Sequence, residues 1–303
     1  MLQNEWRRVL ATLLALPGIL QIGIVFQALL VLFLLCTGSR TSAQPNAFFA
    51  MDTAIRDLSE LDTVKALGYD GISWRTGPRA DVAAALRRVQ QCGLKLFAVY
   101  DYQSARLTET ELVVDPYLDS TMEALHGTNA VIWMPITSEI FPPGAPDGEE
   151  IAVPALRRLA DRALEFGLRV AIYPHMNTWT ERVQDAVRLA TKVGRKNLGV
   201  TFNLCHCLMA GDESKAPALL AEAMPYLFLA TINGADSGAA GTTWTRLIRP
   251  LGEGSYDVTH ILKHLSELHY SGPIGLQGFG VQIPVTDNLT RSISAWRRIL
   301  ERR

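Results

Sequence analysis

From Gln44 to the C-terminus the chain alternates short apolar runs that suit strands with longer stretches in which apolar residues return every three or four positions. Eight runs read as strands: Ala47–Met51, Gly71–Trp74, Lys95–Tyr100, Ala130–Ile136, Arg169–Tyr173, Leu198–Asn203, Tyr226–Ile232 and Ile274–Gln277. Helical spacing runs through Val82–Cys92, Pro154–Phe166, Thr180–Val193, Val258–Leu268 and Asn288–Leu300, and Gly68, Gly93, Gly167 and Gly194 punctuate segment ends. Strand followed by helix, repeated, predicts parallel β/α units. Eight units in about 260 residues match a closed eight-fold α/β barrel, a (β/α)8 TIM barrel, whose usual size is roughly 250 residues. A doubly wound open sheet would carry a glycine-rich phosphate turn after an early strand, and none follows Met51, Trp74 or Tyr100. The expectation is therefore one barrel domain over residues 44–303, without repeat or linker. Pro142 through Glu150 reads as an exposed loop after the fourth strand, on the face where a lid would sit.

The first 43 residues have a different pattern. Arg7 and Arg8 precede an apolar run from Ile19 to Cys36, and Thr41-Ser42-Ala43 supplies small residues where a signal peptidase needs them. A Sec-type signal peptide is the expectation, with the barrel exported to the periplasm or another extracytoplasmic space. A run of about 18 apolar residues is also near the minimum for a spanning helix, so an uncleaved membrane anchor is the alternative. Contact with the membrane is expected only through this segment.

Composition removes other classes. With 29 basic and 30 acidic side chains there is no basic face to compete for phosphate counterions, so nucleic acid is not an expected partner. Of the 4 cysteines, Cys36 falls in the N-terminal segment. Cys92, Cys205 and Cys207 are an odd set that describes no disulfide framework, and they are expected as buried thiols.

Barrel chemistry sits where strands end and βα loops begin. Those ends offer Asp52, Trp74 with Arg75, Tyr100 with Asp101, Glu139, His175 with Asn177, Asn203 with His206, Asn233 with Asp236, and Gln277. Trp74, Tyr100 and Trp179 are the aromatic groups available to stack on the apolar face of a sugar ring, with amides and imidazoles bonding its hydroxyls.

The succession "RVAIYPHMN", "NLGVTFNLCH", "LFLATING", "GEGSYDVTHILKHL" and "GPIGLQGFG" resembles the C-terminal half of the xylose-isomerase-like sugar phosphate isomerase/epimerase family. The resemblance covers the layout from Gln44 to Arg303 and reaches the level of motifs from Arg169 onward. It implies a divalent metal held by a Glu on the fifth strand, an Asp-x-x-His on the sixth, a His on the seventh and a Glu on the eighth. Those positions fall on Tyr173, Asn203 with His206, Thr231 or Asn233, and Gln277. Only His206 matches. Amides in place of carboxylates remove the charge that holds a hard dication, so the expected cofactor is none. The alternative is one divalent metal, manganese at the family's site or zinc in a shifted site of His175 and His206 with Asp236 or Glu139. A zinc site of Cys205, His206 and Cys207 is not expected, since alternate side chains of an extended strand face opposite ways.

The resemblance implies a sugar isomerase or epimerase acting by proton transfer next to a carbonyl. His175 and His206 suit the acid/base role because imidazole titrates near neutrality, with Glu139 as a third catalytic candidate. Trp74, Tyr100, Asn203, Asn233, Asp236 and Gln277 are the expected substrate contacts, and the amides among them would stabilise an enediolate oxygen. A barrel that binds carbohydrate without converting it is the alternative. A DNA-repair endonuclease, also found on this fold, would need a full set of His, Asp and Glu ligands and a basic face.

Overall fold

The structure is a computed structural model that describes residues 46–302. Its strands are β1 (Phe48–Ala50), β2 (Gly71–Arg75), β3 (Lys95–Tyr100), β4 (Ala105–Leu107), β5 (Leu112–Val114), β6 (Val131–Met134), β7 (Thr137–Ser138), β8 (Arg169–Ile172), β9 (Leu198–Asn203), β10 (Leu227–Ile232) and β11 (Ile274–Leu276). Eight of these close into a barrel in the order β1-β11-β10-β9-β8-β6-β3-β2, every pair parallel. The expected α/β barrel is therefore present. The expected signal or anchor segment, residues 1–43, lies outside the described residues. Among the described residues no helix is long and apolar enough to cross a membrane.

Strand alternation sorts the core into two parts. Phe48 and Ala50 face outward, where the Phe48 ring stacks on Trp296 at 4.4 Å and on Tyr69 at 5.3 Å. Phe49 faces inward and stacks on Phe97 at 5.2 Å, in a cluster with Met51, Val131, Trp133, Ala171 and Leu229 that fills the barrel. Burying an aromatic or aliphatic side chain of this size contributes about 1.5–3 kcal/mol. Gly275 is required by this packing: a Cβ there would lie 2.4 Å from the Phe49 ring.

β3 and β9 have the expected bounds, whereas several expected runs extend one or two residues past the ladder. Met51, Tyr173 and Gln277 each donate one last backbone bond to the neighbouring strand, to Leu276 O at 3.1 Å, Met134 O at 2.8 Å and Ile232 O at 2.9 Å. Their side chains consequently sit at the barrel mouth.

Segments that follow β3 and β6 form a second, three-stranded sheet, β5-β4-β7, which the sequence pattern did not indicate. Its strands are too short to show a period. Because all three belong to βα connections, the sheet stands on the C-terminal face of the barrel.

The Pro142–Glu150 loop is tied to the segment that follows β8. Gly144 N donates to Trp179 O at 2.9 Å, and the Trp179 indole donates to Ala145 O at 2.8 Å. The helix expected from Pro154 starts earlier, at Glu149, and runs to Glu165 with Pro154 inside it. Glu149 is buried and paired with Arg188 and Lys192, which ties the start of this helix to the helix Val183–Val193. That second helix starts three residues later than expected, because Arg182 is extended and Thr180 Oγ1 instead accepts from Ile136 N at 2.9 Å.

Candidate functional site

At the C-terminal mouth lies a cavity of about 380 Å³. Its walls are aromatic and apolar, from Met51, Tyr100, Tyr102, Tyr173, Met176, Trp244, Ile248 and Phe279. Its polar groups are Thr53, His175, Asn177, His206 and Gln277. No lysine or arginine of the described residues lines it.

His175 and His206 meet because β8 and β9 are neighbours in the barrel, so that the residues following each strand share one sector of the mouth. Their ring centroids are 4.0 Å apart. His175 stands on a turn closed by its own backbone, with His175 N donating to Thr180 O at 3.0 Å and Thr178 Oγ1 donating to His175 O at 2.7 Å. Asn177 makes the turn possible with a left-handed φ of 63°, a conformation asparagine tolerates better than most residues. His206 belongs to the helix Leu204–Met209, which starts as β9 ends and is capped by Asn203 Oδ1 accepting from Cys205 N at 3.1 Å.

The backbone of Met176 sets both imidazoles. His175 Nδ1 lies 2.9 Å from Met176 O, and a carbonyl only accepts, so Nδ1 carries the proton and Nε2 has the lone pair. Met176 N donates to His206 Nδ1 at 3.2 Å, so in the neutral ring the proton is on Nε2. Burial holds both rings below the ordinary imidazole pKa, and for His206 the neighbouring His175 adds to the effect. At neutral pH the pair therefore presents one acceptor and one donor nitrogen, neither Nε2 having a protein partner among the described residues.

Tyr173 occupies the centre of the site. It stacks on Trp133 at 5.0 Å and meets Tyr100, His175 and His206 edge-on, each at 5.4 Å. Burial holds its phenol far above the ordinary range, so it stays protonated, and its oxygen accepts from Asn203 Nδ2 at 2.7 Å. Gln277 is oriented on the other side: its Oε1 accepts from Thr53 Oγ1, from Gly278 N at 2.9 Å and from Phe279 N at 3.0 Å. With the carbonyl so engaged, the NH2 group is left as a donor.

Of the expected site residues, the structure brings together His175, His206, Tyr100 and Gln277 around the cavity, with Asn203 directly beneath as the partner of Tyr173 and the helix cap. The others are elsewhere. Glu139 is exposed beyond β7 and borders a separate depression with Arg106 and Thr108, because β7 carries the chain into the small sheet. Asp236 is bound by Arg249 at 2.7 Å and Arg246 at 3.2 Å. Asn233 donates to Gly234 O and Leu247 O, both at 2.7 Å, and so fixes the loop that carries Trp244. Trp74 packs half-buried against the outer core beneath the Arg75 guanidinium, and Trp179 is buried under the Pro142–Glu150 loop. Tyr102, Met176, Trp244 and Phe279 were not anticipated; Tyr102 follows Tyr100 by two residues, but Met176 and Phe279 are on loops and Trp244 starts the four-residue helix Trp244–Leu247, too short to show a pattern.

The residues present do not fit a divalent metal. At the family's ligand positions Tyr173 is a neutral phenol, Asn203 Oδ1 is engaged as a cap and Gln277 Oε1 accepts three hydrogen bonds. The shifted zinc site also lacks a third ligand, since Asp236 and Glu139 lie away from the histidines. Among the described residues no group of three or more His, Cys, Asp and Glu could hold an ion. Cys205 and Cys207 lie on a short helix rather than a strand, so strand alternation does not apply to them. Both are buried, and burial raises their thiol pKa, which disfavours the thiolate a metal requires. Cys92 is only partly buried, unlike its expectation.

Residues 61–299 match the sequence profile described as xylose isomerase-like TIM barrel. No curated protein matches the chain in sequence. Among solved structures, L-ribulose 3-epimerase superposes with a TM-score of 0.68 at 13% identity, covering 85% of this chain and 95% of that one. The 3-keto-D-glucoside 4-epimerase of E. coli gives 0.64 at 18% identity, with 84% and 99% covered. The IolI protein, solved with a zinc atom, gives 0.65 at 14% identity, with 84% and 98% covered.

Proposed function

The chain belongs to the xylose isomerase-like TIM barrel family, and on that premise we propose that it is a sugar isomerase or epimerase in which side chains alone carry the proton transfers. The observation that carries the reading is the opposite setting of His175 and His206 by the Met176 backbone. His175 Nε2, with its lone pair, is the base that takes a proton from the carbon next to the sugar carbonyl. His206 Nε2–H and the Gln277 NH2 group donate to the carbonyl oxygen as negative charge develops on it. Tyr102 and Trp244, each packed edge-on against one of the histidines, are the surfaces for the apolar face of the ring.

Support for a carbohydrate comes from the neighbours named as epimerases of a ribulose and a keto-glucoside. An inactive sugar-binding barrel has no specific observation in its favour. The absence of Lys and Arg from the described lining favours an unphosphorylated sugar, because a phosphate dianion would enter an aromatic cavity without a counter-charge. The test is exchange of solvent deuterium into a panel of unphosphorylated aldoses, ketoses and keto-glycosides. His175→Ala and His206→Ala should each lower the exchange rate about a hundredfold or more. Near-normal exchange in His175→Ala would remove it as the base.

A further inference from the structure

Trp244 and Ile248 wall the cavity from within the long connection between β10 and the helix Thr259–Glu267. A connection of this length needs bonds of its own to present a fixed surface. The chain folds back on itself there: Arg249 N donates to Gly234 O at 2.8 Å, Gly234 N donates to Arg249 O at 3.0 Å, and Asp236 N donates to Arg246 O at 2.8 Å. Gly234 permits the close approach, since a side chain there would strike the carbonyl oxygens of Pro250 and Glu253.

Asp236 closes this fold from outside the cavity. Its Oδ2 accepts from Arg249 Nη2 at 2.7 Å and from Arg246 Nε at 3.2 Å, and among the described residues neither arginine has another carboxylate partner. Arg246 is two residues past Trp244, and Arg249 directly follows Ile248. Because the two guanidinium groups share one oxygen, their charges stand close together and repel unless the carboxylate lies between them. Arg249 Nε is buried without a hydrogen-bond partner, an unfavourable placement that the ion pair offsets. None of the three charged side chains lines the cavity, yet they bracket the two residues that do.

We propose that Asp236 is a positioning residue: by neutralising Arg246 and Arg249 it keeps Trp244 and Ile248 in place as one wall of the cavity, and so governs how tightly the sugar binds without touching it. The role rests on the isomerase or epimerase reading, in which Trp244 carries the apolar face of the ring. The reacting groups are fixed elsewhere, His175 and His206 by Met176, and Gln277 by Gly278 and Phe279. Loss of the carboxylate therefore lets the wall move out in the free protein and leaves the chemistry of the bound complex as it was. Sugar then binds only the fraction of molecules whose wall is in place, which raises KM and not kcat.

The experiment measures KM and kcat for solvent-deuterium exchange into whichever sugar of the panel the wild-type protein exchanges fastest. It compares the wild type with Asp236→Asn, Arg246→Gln and the double variant. Asp236→Asn should raise KM about tenfold and leave kcat within about threefold. The double variant should return KM to within about threefold of wild type, because removing one guanidinium ends the repulsion, and Arg246→Gln alone should stay near wild type. A second readout is acrylamide quenching of Trp244 fluorescence, taken as the difference between each protein and its Trp244→Phe counterpart. Quenching should be about twofold stronger in Asp236→Asn and relieved in the double variant. A fall in kcat at unchanged KM, or a double variant as impaired as Asp236→Asn, would overturn the proposal and leave the isomerase reading standing. A wild-type protein that exchanges no sugar would overturn that reading, and unchanged quenching in Asp236→Asn would overturn the wall with or without turnover.

Discussion

Replacing Asp52 by Asn should make the protein more stable, and by an amount that depends on pH. In the unfolded chain the carboxyl ionises near 3.8, and in the folded protein burial moves this to about 6. Between these values the folded state holds a proton that the unfolded state has released, so stability falls as pH rises through the interval and is level above it. Each tenfold in proton affinity is about 1.4 kcal/mol, so the full effect is about 3 kcal/mol above pH 7, present as a loss in the wild type. Asn has nearly the same shape and never ionises. Urea unfolding at pH 7.5 should therefore show Asp52→Asn more stable by up to about 3 kcal/mol, while at pH 4 the two proteins should differ by less than about 1 kcal/mol. A variant less stable at both pH values would refute the argument and mean that Asp52 holds the mouth together through bonds to its neighbours. A gain equal at both pH values would place its cause outside ionisation.

Three further outcomes follow from the packing and the site. Glu149→Ala should destabilise by about 2 kcal/mol in urea, since it leaves Arg188 and Lys192 without their buried partner, though both are partly hydrated; no change would mean that the pair is open in solution. Gly275→Ala pushes a methyl group into the Phe49 ring and should lower stability by about 1–3 kcal/mol, read from the unfolding midpoint; an unchanged midpoint would show that the barrel interior can repack there. Prolonged chelation should leave solvent-deuterium exchange unchanged, and elemental analysis should find well under one equivalent of manganese or zinc; near-stoichiometric metal with loss of exchange on chelation would overturn the side-chain mechanism.

Local periodicity made the barrel legible, because strand alternation and helical spacing are properties of neighbouring residues. β3 and β9 were readable to the residue, and the strand-end rule listed His175, His206 and Asp52 among the groups that could matter. That rule could not say which ends converge. His175 and His206 form a pair because β8 and β9 are adjacent, a consequence of strand order around a closed barrel. Asp236 was lost to Arg246 and Arg249, and Glu139 to the turn of the chain into the small sheet, both set by contacts beyond the local pattern.

The eroded metal motif was visible in the sequence as Tyr173, Asn203 and Gln277 replacing carboxylates, and the neutrality of those groups follows from their identities. What fills the space is a tertiary matter: the Tyr173 ring stacked on Trp133, with its hydroxyl bonded to Asn203. The sequence by itself determined the architecture and offered His175, His206, Tyr100 and Gln277 among its strand-end candidates, since both depend on spacing along the chain. Only the tertiary structure decided which of them meet, and in which tautomers. Those properties depend on the distances between strand ends and on the burial that changes proton affinity.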